Sequence, residues 1–392
     1  MPDAESVLCL SHLRWNFVFQ RPQHLLSRCA QQRRLVFFEE PIFDATSPDL
    51  ELRREGRVVV AVPHLPGGMA EAEVESAQRT MVDHVISREL EPRPVLWFYT
   101  PMALGFTHHV RAKAIVYDCM DELSLFKGAP PALAIRERML LDAADVVFTG
   151  GHSLYEHKRL WSGHRNIYPF PSSVDVPHFA QARELLPDPL DQAEIPHPRV
   201  GFFGVIDERM DLALLDKLAS NRPDVHFVMI GPVVKIDPAT LPRHANIHYL
   251  GQKSYDQLPA YLAGWDVAMM PFALNDSTRF ISPTKTPEYL AAGKPVVSSA
   301  ITDVVKPYGV EGLAWIADTV HEWSAAIDTA LAADRTALRA HADDFLSELS
   351  WDRTWREMWG HVERAITSRA SLYRSGLHAA GSAAHALNQE QK

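Results

Sequence analysis

Short apolar runs alternate with helical patterns along almost the whole chain of 392 residues. In the first half these runs are SVLCL, RLVFFEE, VVVAV, VLWFY, AIVYD and VVFTG. They are rich in β-branched and aromatic residues and end in polar residues or glycine, which favours strands. Nearly continuous apolar strands separated by helices are typical of parallel sheets covered on both faces. We therefore predict an α/β fold with doubly wound parallel sheets.

A stretch rich in proline and acidic residues, LLPDPLDQAEIPHP at 185–198, interrupts this alternation, which restarts with RVGFFGV. Such a stretch is typical of an interdomain linker, and the chain is long enough for two domains. Each half then forms a Rossmann-like domain, and the two face a cleft. The predicted organisation is an N-terminal domain at 1–185, a linker at 186–198, a C-terminal domain at 199–349, a helix at 350–370 and a disordered tail at 371–392. A tryptophan at every fourth position of that helix (Trp351, Trp355, Trp359) forms an aromatic stripe, which predicts packing against a domain surface rather than a cofactor site. In the expected fold, this helix packs back on the N-terminal domain.

Composition excludes several classes of function. Lys and Arg total 39 against 49 Asp and Glu, a net charge of −10, which disfavours a nucleic-acid partner. The three cysteines, Cys9, Cys29 and Cys119, match no metal or disulfide spacing, and no HExxH motif occurs, so we expect no metal. No apolar run is long enough for a signal peptide or a membrane span. We expect a cytoplasmic protein and leave a peripheral membrane contact open.

The segment ISPTKTPEYLAAGKPVV at 281–297 places two prolines and a lysine before a short helix. Either Ser282 caps this helix with Pro283 in its first turn, or Thr286 caps it with Pro287 there. In both cases free backbone N–H groups and Lys285 meet at one helix N-terminus, which suits a phosphate. Glu288 could then accept hydrogen bonds from the hydroxyls of a ribose, or it could serve only the helix dipole.

The same segment resembles the donor-site signature of retaining glycosyltransferases of the GT-B fold, which use nucleotide-diphosphate sugars. RVGFFGVIDERMDLALL resembles the first strand and turn of that family's C-terminal domain, and YPFPSSVDVPHF resembles the end of its N-terminal domain. SHLRWNFVFQRPQHLLSR is similar to a subgroup linked to bacterial cell-surface polysaccharides such as teichuronic acid. The resemblance covers about residues 5 to 366.

The resemblance implies a role for each matching residue. Glu288 would bind the nucleotide ribose, and Arg209 would meet the diphosphate after Gly204. Lys285 and the amides around Ser282, Thr284 and Thr286 would hold the same diphosphate. Gly231 and the turn at 248–252 would lie near the base. The expected donor is a nucleotide-diphosphate hexose, UDP-linked, which acts as a co-substrate with no other cofactor.

Two parts of the chain depart from that family's pattern. Phe280 stands where a second glutamate is expected eight positions before Glu288, so the sugar could instead be positioned by the loop at 275–278. The N-terminal turn lacks the usual glycines and carries Arg14, Trp15, Arg21 and His24. An aromatic ring suits the apolar face of a sugar and an arginine suits phosphate, which predicts an acceptor or phosphate site. The alternative is that Trp15 fills the core.

Asp118 and Asp121 follow the strand AIVYD and are expected at the cleft. Either could orient an acceptor hydroxyl or accept its proton, or both could serve only as a turn and a helix cap. By resemblance, the donor phosphate could itself accept that proton.

The predicted function is transfer of a sugar, with retention, to a glycan or lipid-linked acceptor in cell-surface polysaccharide synthesis. Two alternatives remain: a GT-B-like nucleotide-sugar epimerase and a non-catalytic glycan-binding relative. An NAD-dependent oxidoreductase is disfavoured because no GxGxxG follows any predicted strand.

Overall fold

The structure, a computed structural model, describes residues 5–389 and the side chains of residues 5–371. Strands of the first sheet are β1 (Val7–Leu10), β2 (Leu35–Phe38), β3 (Ile42–Ala45), β4 (Asp49–Glu55), β5 (Val58–Pro66), β6 (Val95–Phe98), β7 (Ile115–Cys119), β8 (Val146–Thr149) and β9 (Ile167–Pro169). Strands of the second sheet are β10 (Arg199–Phe203), β11 (His226–Ile230), β12 (Ile247–Gly251), β13 (Val267–Met270), β14 (Val296–Ser298) and β15 (Trp315–Ile316).

The α-helices are α1 (Arg21–Gln32), α2 (Glu71–Glu89), α3 (Leu104–Thr107), α4 (Leu133–Ala143), α5 (His152–Ser162), α6 (Val176–Ala180), α7 (Leu212–Asn221), α8 (Leu258–Ala263), α9 (Lys285–Ala291), α10 (Thr302–Val304), α11 (Val320–Ala332), α12 (Arg335–Leu346) and α13 (Trp351–Gln389). Short 3-10 turns are Pro101–Ala103, Leu123–Leu125, Gln181–Arg183, Pro238–Thr240, Tyr255–Gln257 and Asp276–Thr278, and Val305–Gly309 is a π-helical turn.

Both halves have the predicted doubly wound arrangement. The first sheet has the order β3-β5-β2-β1-β6-β7-β8-β9, and the second has the order β12-β11-β10-β13-β14-β15. The central strands β1 and β10 are buried at every residue, as expected for strands covered by helices on both faces. All described strand pairs within these two orders are parallel. The α/β fold with two facing domains is thus confirmed.

One hairpin was not expected from the sequence. Strand β4 pairs antiparallel with β5, and Gly56 turns between them with a φ of +61°. Most β4 side chains are exposed or half-exposed, so this strand lacks the continuous apolar run that marks the other strands. The hairpin makes the first sheet mixed rather than purely parallel.

The segment predicted as a linker packs on the second domain. Val174, Phe179, Ala182 and Ile195 all belong to the apolar core around β10. Gln192 is also fully buried, and its amide oxygen accepts a hydrogen bond of 2.9 Å from the indole of Trp265. The chain therefore passes between the two cores near Val174, before 186–198, because residues from Val174 onward already belong to the second core, and Ile195 of the Pro-rich stretch joins them.

The last helix packs on the first domain through its tryptophan stripe, as expected for this fold. Trp351, Trp355 and Trp359 are buried in the core of that domain, and the ring of Trp355 lies 5.8 Å from that of Trp97. The helix continues to Gln389, whereas the sequence pattern placed its end at 370. Alanine is frequent in that extension, and it has the highest intrinsic helix propensity. The rest of the tail, 390–392, lies outside the described residues.

Candidate functional site

A cavity of about 1050 Å³ lies between the two domains. Residues 15–20 and Gln23 line it from the first domain, and Asp175 and His178 line it from the connecting segment. The second domain contributes residues 203–205, Arg209, 230–232, 252–256, Leu258, Thr284, Lys285 and Glu288. Many of these residues follow the carboxyl ends of β10, β11 and β12, where ligands of open α/β sheets bind.

Two glycines let the backbone approach this cavity closely. Gly204 and Gly231 follow β10 and β11 with φ values of +139° and +145°, which side-chain-bearing residues rarely adopt. A Cβ on Gly204 would lie 2.2 Å from Cε of Lys285, and one on Gly231 would lie 1.8 Å from the carbonyl oxygen of Gly204. Both positions therefore require glycine for the observed packing.

Lys285 begins helix α9 and lines both the large cavity and a smaller one beside it. Burial lowers the pKa of Lys285, and the neighbouring Arg209 guanidinium acts in the same direction. Among the described residues no carboxylate lies within ion-pair distance of Lys285 Nζ; its nearest ring contact is Phe202, at 5.6 Å. Lys285 is half-buried, and a partly desolvated cation without an ion-pair partner is costly, so this site favours an anionic ligand.

Arg209 is held beside Lys285 by Asp207. Its Nε and Nη2 donate to the Asp207 carboxylate over 2.7 to 3.1 Å. Within the part of the chain that the structure describes, Nη1 has no hydrogen-bond partner. The carboxylate thus fixes the guanidinium plane, and one edge of the group stays available to a ligand.

Glu288 lies one turn further along α9 and also lines the cavity. Burial raises the pKa of Glu288, which Lys285 partly offsets. The hydroxyl of Tyr255 is buried without a hydrogen-bond partner among the described residues. Burial raises the pKa of Tyr255, and the charges of Glu288 and Asp175 raise it further. Glu288 and Tyr255 can therefore bind hydroxyl groups of one ligand. The sequence reasoning missed Tyr255, since no local pattern separates it from core aromatic residues.

A smaller cavity of about 90 Å³ adjoins the first and shares Gln20, Val205, Arg209, Thr284 and Lys285 with it. Asp121, Ser282 and Pro283 complete its wall together with Arg21, Met120, Gly150, Ser172, Phe272 and Ile281. Burial raises the pKa of Asp121 to about 6, although Arg209 and Arg21 act against the shift. Asp121 is thus the predicted carboxylate that the fold brings next to the cationic pair.

The start of α9 differs from both predicted caps. The helix begins at Lys285 with Thr284 as its N-cap residue, and no side chain caps it. Thr286 is fully buried and its hydroxyl donates to the sulfur of Met270, so it faces the core. Ser282 and Thr284 do line the cavities.

Asp118 and Arg21 form a buried ion pair. The guanidinium donates to both Asp118 oxygens at 2.9 to 3.2 Å, and its Nη1 donates to the carbonyl of Phe170 at 2.6 Å. Asp118 is 0% exposed, Arg21 is 1% exposed, and Asp118 lines neither of the two cavities. The expectation that Asp118 faces the cleft and that Arg21 offers its charge to phosphate is therefore corrected, because each satisfies the other.

The other predicted residues of the N-terminal loop are divided between core and cavity. Arg14 donates to Glu39 at 3.1 Å and to the backbone carbonyls of Glu40 and Pro41. Trp15 lines the large cavity, but its ring is buried against Phe37 at 5.0 Å.

His24 stacks on Trp351 at 4.6 Å and does not line the cavity. Burial lowers its pKa to about 3, which keeps the ring neutral. Arg14 and His24 thus serve packing between elements, whereas Trp15 contributes to both core and cavity.

Phe280 contacts the opposite domain. Its ring stacks on His157 of α5 at 4.5 Å and packs against the core of the first domain. Asn275 caps the short turn Asp276–Thr278 through its side chain, and neither Asn275 nor Asp276 lines the two cavities. The position of the expected glutamate is therefore used for interdomain packing.

Only the end of the turn at 248–252 lies at the cavity. Gln252 lines it and donates to the carbonyl of Phe17 across the cleft. His248 instead lies on the sheet, where its Nε2 is 3.0 Å from Nδ1 of His226.

Across the described residues, no group of three or more His, Cys, Asp or Glu side chains could hold a metal ion. No helix within these residues has the length and apolar character needed to cross a membrane.

Comparisons with known proteins bear on this geometry. The family model "Glycosyl transferases group 1" matches residues 197–333, which contain Gly204, Arg209, Lys285 and Glu288. A relative, TuaH of Bacillus subtilis (strain 168), is assigned to teichuronic acid biosynthesis as a glycosyltransferase. It is 25% identical over an alignment of 238 positions, and the alignment covers 56% of this chain and 59% of TuaH. The match thus spans less than two thirds of that relative.

Solved structures share the whole fold. Sucrose-phosphate synthase from Thermosynechococcus elongatus has a TM-score of 0.71 at 15% identity, covering 93% of this chain and 100% of that one. An alpha,alpha-trehalose-phosphate synthase (UDP-forming) from Burkholderia xenovorans in complex with glucose-6-phosphate has a TM-score of 0.66 at 13% identity, covering 92% and 100%. The chain therefore has the GT-B fold, carries a glycosyl transferases group 1 domain at 197–333 and is similar to a teichuronic acid biosynthesis glycosyltransferase.

Proposed function

We propose that this protein transfers a hexosyl group from a nucleotide-diphosphate sugar to a glycan or lipid-linked acceptor in cell-surface polysaccharide synthesis. The donor binds against the second domain, and the acceptor enters from the first. The reaction takes place on the cytoplasmic face of the membrane, with retention of the anomeric configuration. Retention rests on the resemblance to retaining GT-B enzymes.

The observation that carries the proposal is a pair of cations, Lys285 at the start of α9 and Arg209 after β10. Lys285 has no carboxylate partner among the described residues, and Arg209 keeps one edge of its guanidinium free. Glu288 lies one helical turn beyond Lys285 in the same cavity. A nucleoside diphosphate has the matching order of groups: the phosphates meet Lys285 and Arg209, and the ribose hydroxyls meet Glu288 and Tyr255.

The chemistry follows from where charge develops. When the sugar–phosphate bond breaks, negative charge grows on the departing diphosphate. Two cations already fixed beside it stabilise that charge without reorganising, which is the strongest common form of enzymatic stabilisation. We further propose that Lys285 and Arg209 neutralise the diphosphate in place of a divalent cation. Water exclusion by the closed cleft protects the activated donor from hydrolysis.

The acceptor hydroxyl approaches through the small cavity beside Asp121. With a pKa of about 6, Asp121 is ionised at neutral pH and can orient this hydroxyl by accepting its hydrogen bond. The proton of the acceptor hydroxyl passes either to Asp121 or to the departing phosphate. UDP is the proposed nucleotide because one of the structurally similar enzymes is described as UDP-forming.

A calorimetric screen tests the donor: UDP, GDP, ADP and their glucose, galactose and glucuronic acid conjugates are titrated into the full chain. We expect one nucleotide series to bind with micromolar Kd and to release nucleoside diphosphate only when an acceptor extract is added. Absence of binding in every series would reject the donor site. Conversion of the sugar without acceptor would favour an epimerase, and binding without any turnover would favour a non-catalytic glycan-binding protein.

A further inference from the structure

A second cavity, of about 470 Å³, lies within the first domain at the carboxyl ends of β1, β2 and β6. Its walls are mainly apolar and include Phe38, Phe43, Met69, Met102 and Phe106. Phe43 is 53% exposed, which is unusual for a large aromatic side chain on a strand. A concave apolar surface of this size is typical of a small-molecule site.

The charges around this apolar cavity are mostly negative. Four glutamates and one arginine line it: Glu39, Glu40, Glu71, Glu75 and Arg136. Arg136 is already engaged, because its guanidinium donates to the carbonyl of Met102 at 2.9 Å and pairs with Glu71 and Glu75. No free cation of the lining remains for an anion, so a phosphate or carboxylate is disfavoured there.

The apolar cavity adjoins the interdomain cleft. Glu39 lines it and accepts a hydrogen bond of 2.8 Å from the backbone N–H of Trp15, which lines the large cavity. Glu40 also lines it. One hydrogen bond therefore joins the wall of the apolar cavity to the wall of the interdomain cavity.

We infer that the apolar cavity binds an uncharged hydrocarbon portion of the acceptor, attached to the sugar that receives the transferred group. This inference rests on the proposed function, since it names the acceptor's chemical class. The sugar would occupy the cleft beside Trp15 while the hydrocarbon fills the space between Phe43, Met69 and Phe106. Either a lipid chain or an aryl aglycone supplies that chemistry.

Binding is tested without catalysis. The full chain is titrated with the neutral fluorophore N-phenyl-1-naphthylamine, which is then displaced with methyl, butyl, hexyl, octyl and phenyl glucosides and with octyl sulfate. We expect affinity to rise by about fourfold for each added methylene until the cavity is filled. Such an increase with chain length would identify a lipid chain as the ligand. Tighter binding of phenyl glucoside than of octyl glucoside would identify an aryl aglycone. Equal affinity across the glucosides, or tighter binding of octyl sulfate than of octyl glucoside, overturns the inference.

Variants locate the binding. Phe43→Asp should weaken octyl glucoside binding at least tenfold, and Phe43→Leu should largely retain it. Val310→Asp is the control, because Val310 is an apolar residue that is 68% exposed on the second domain. Val74→Glu, on the α2 wall of the cavity, repeats the test on a separate element. If Phe43→Asp and Val74→Glu both bind as wild type does, the hydrocarbon does not occupy this cavity.

Nucleotide-diphosphate binding is measured on the same variants. We expect it to be unchanged, since the apolar cavity lies wholly within the first domain. Failure of the donor screen together with intact chain-length dependence would reject the proposed function but keep the hydrocarbon site. A successful donor screen together with no dependence on chain length would reject the hydrocarbon site and leave the proposed function intact.

Discussion

The two sides of the cleft use their charged residues differently. On the second domain, Lys285 is half-buried with no carboxylate within ion-pair distance among the described residues, and Asp207 fixes Arg209 with one edge of its guanidinium left open. On the first domain, Arg21 is paired with Asp118, and Arg14 is hydrogen-bonded to Glu39 and to backbone carbonyls. Unsatisfied buried charge is costly in the free protein, so it persists where a ligand compensates it. Paired charge instead supports the fold.

Breaking the Arg21–Asp118 pair should have the largest effect, and on stability alone. Asp118→Ala leaves a buried guanidinium without its carboxylate, which costs about 3–5 kcal/mol of unfolding free energy. Denaturant unfolding of the full chain measures it. Nucleotide-diphosphate affinity, measured well below the new melting temperature, should stay within twofold. A hundredfold loss of affinity at intact stability would mean that the first domain's charges are also functional.

Removing the unpaired cation should reverse that pattern. Lys285→Met should raise the nucleotide-diphosphate Kd by about 30- to 1000-fold, the range for loss of one buried charge-assisted contact. The substitution should not lower the melting temperature, since it removes an uncompensated, partly desolvated charge. Lys217→Met is the matched control, on the exposed face of α7. Equal affinities for the two variants would remove Lys285 from the site.

The protonation state of Lys285 provides a second test of its role in binding the diphosphate. Burial lowers its pKa in the free protein, and a bound diphosphate would raise it again. Binding therefore takes up a proton over the pH interval between these two pKa values, and affinity falls as pH rises through that interval. Calorimetry in buffers of different ionisation enthalpy should detect uptake for wild type and none from this group for Lys285→Met.

Asp121 should show an intermediate, pH-dependent effect. Its pKa is about 6 in the folded protein and near 3.8 in the unfolded one, so folded protein binds more protons between these values. Stability of the wild type consequently falls as pH rises from about 4 to 6 and stays lower above that. Asp121→Asn should therefore be more stable by about 1–3 kcal/mol at pH 7.5 than the wild type, and by less at pH 4.5. Equal differences at both pH values would contradict the buried-carboxylate account.

Glu288→Ala should have the smallest of these effects, confined to the ribose. We expect about a tenfold loss of affinity for the nucleoside diphosphate, the value of one or two hydrogen bonds to a charged or buried carboxyl group. The corresponding 2′,3′-dideoxynucleoside diphosphate should bind wild type and variant equally. An equal loss for both ligands would place Glu288 elsewhere than at the ribose.

The sequence predicted the second domain better than the first for a physical reason. Gly204, Arg209, Lys285 and Glu288 come from two short segments, each of which follows one strand, so local patterns were enough to group them. Asp118 and Arg21 are 97 residues apart, and their pairing depends on how β7 meets α1. Tyr255 was missed because its importance lies in an unpartnered hydroxyl, which is invisible until its neighbours are known.

By itself, the sequence determined the alternation of strands and helices, the division into two halves, the apolar tryptophan stripe of the last helix and the glycine turns. These depend on periodicity and backbone sterics, which act over a few residues. The tertiary structure alone decided which charges are paired, that Phe280 packs across the cleft against His157, and that 186–198 joins the second core. Those outcomes depend on contacts between distant segments, where burial makes each polar group either find a partner or remain available to a ligand.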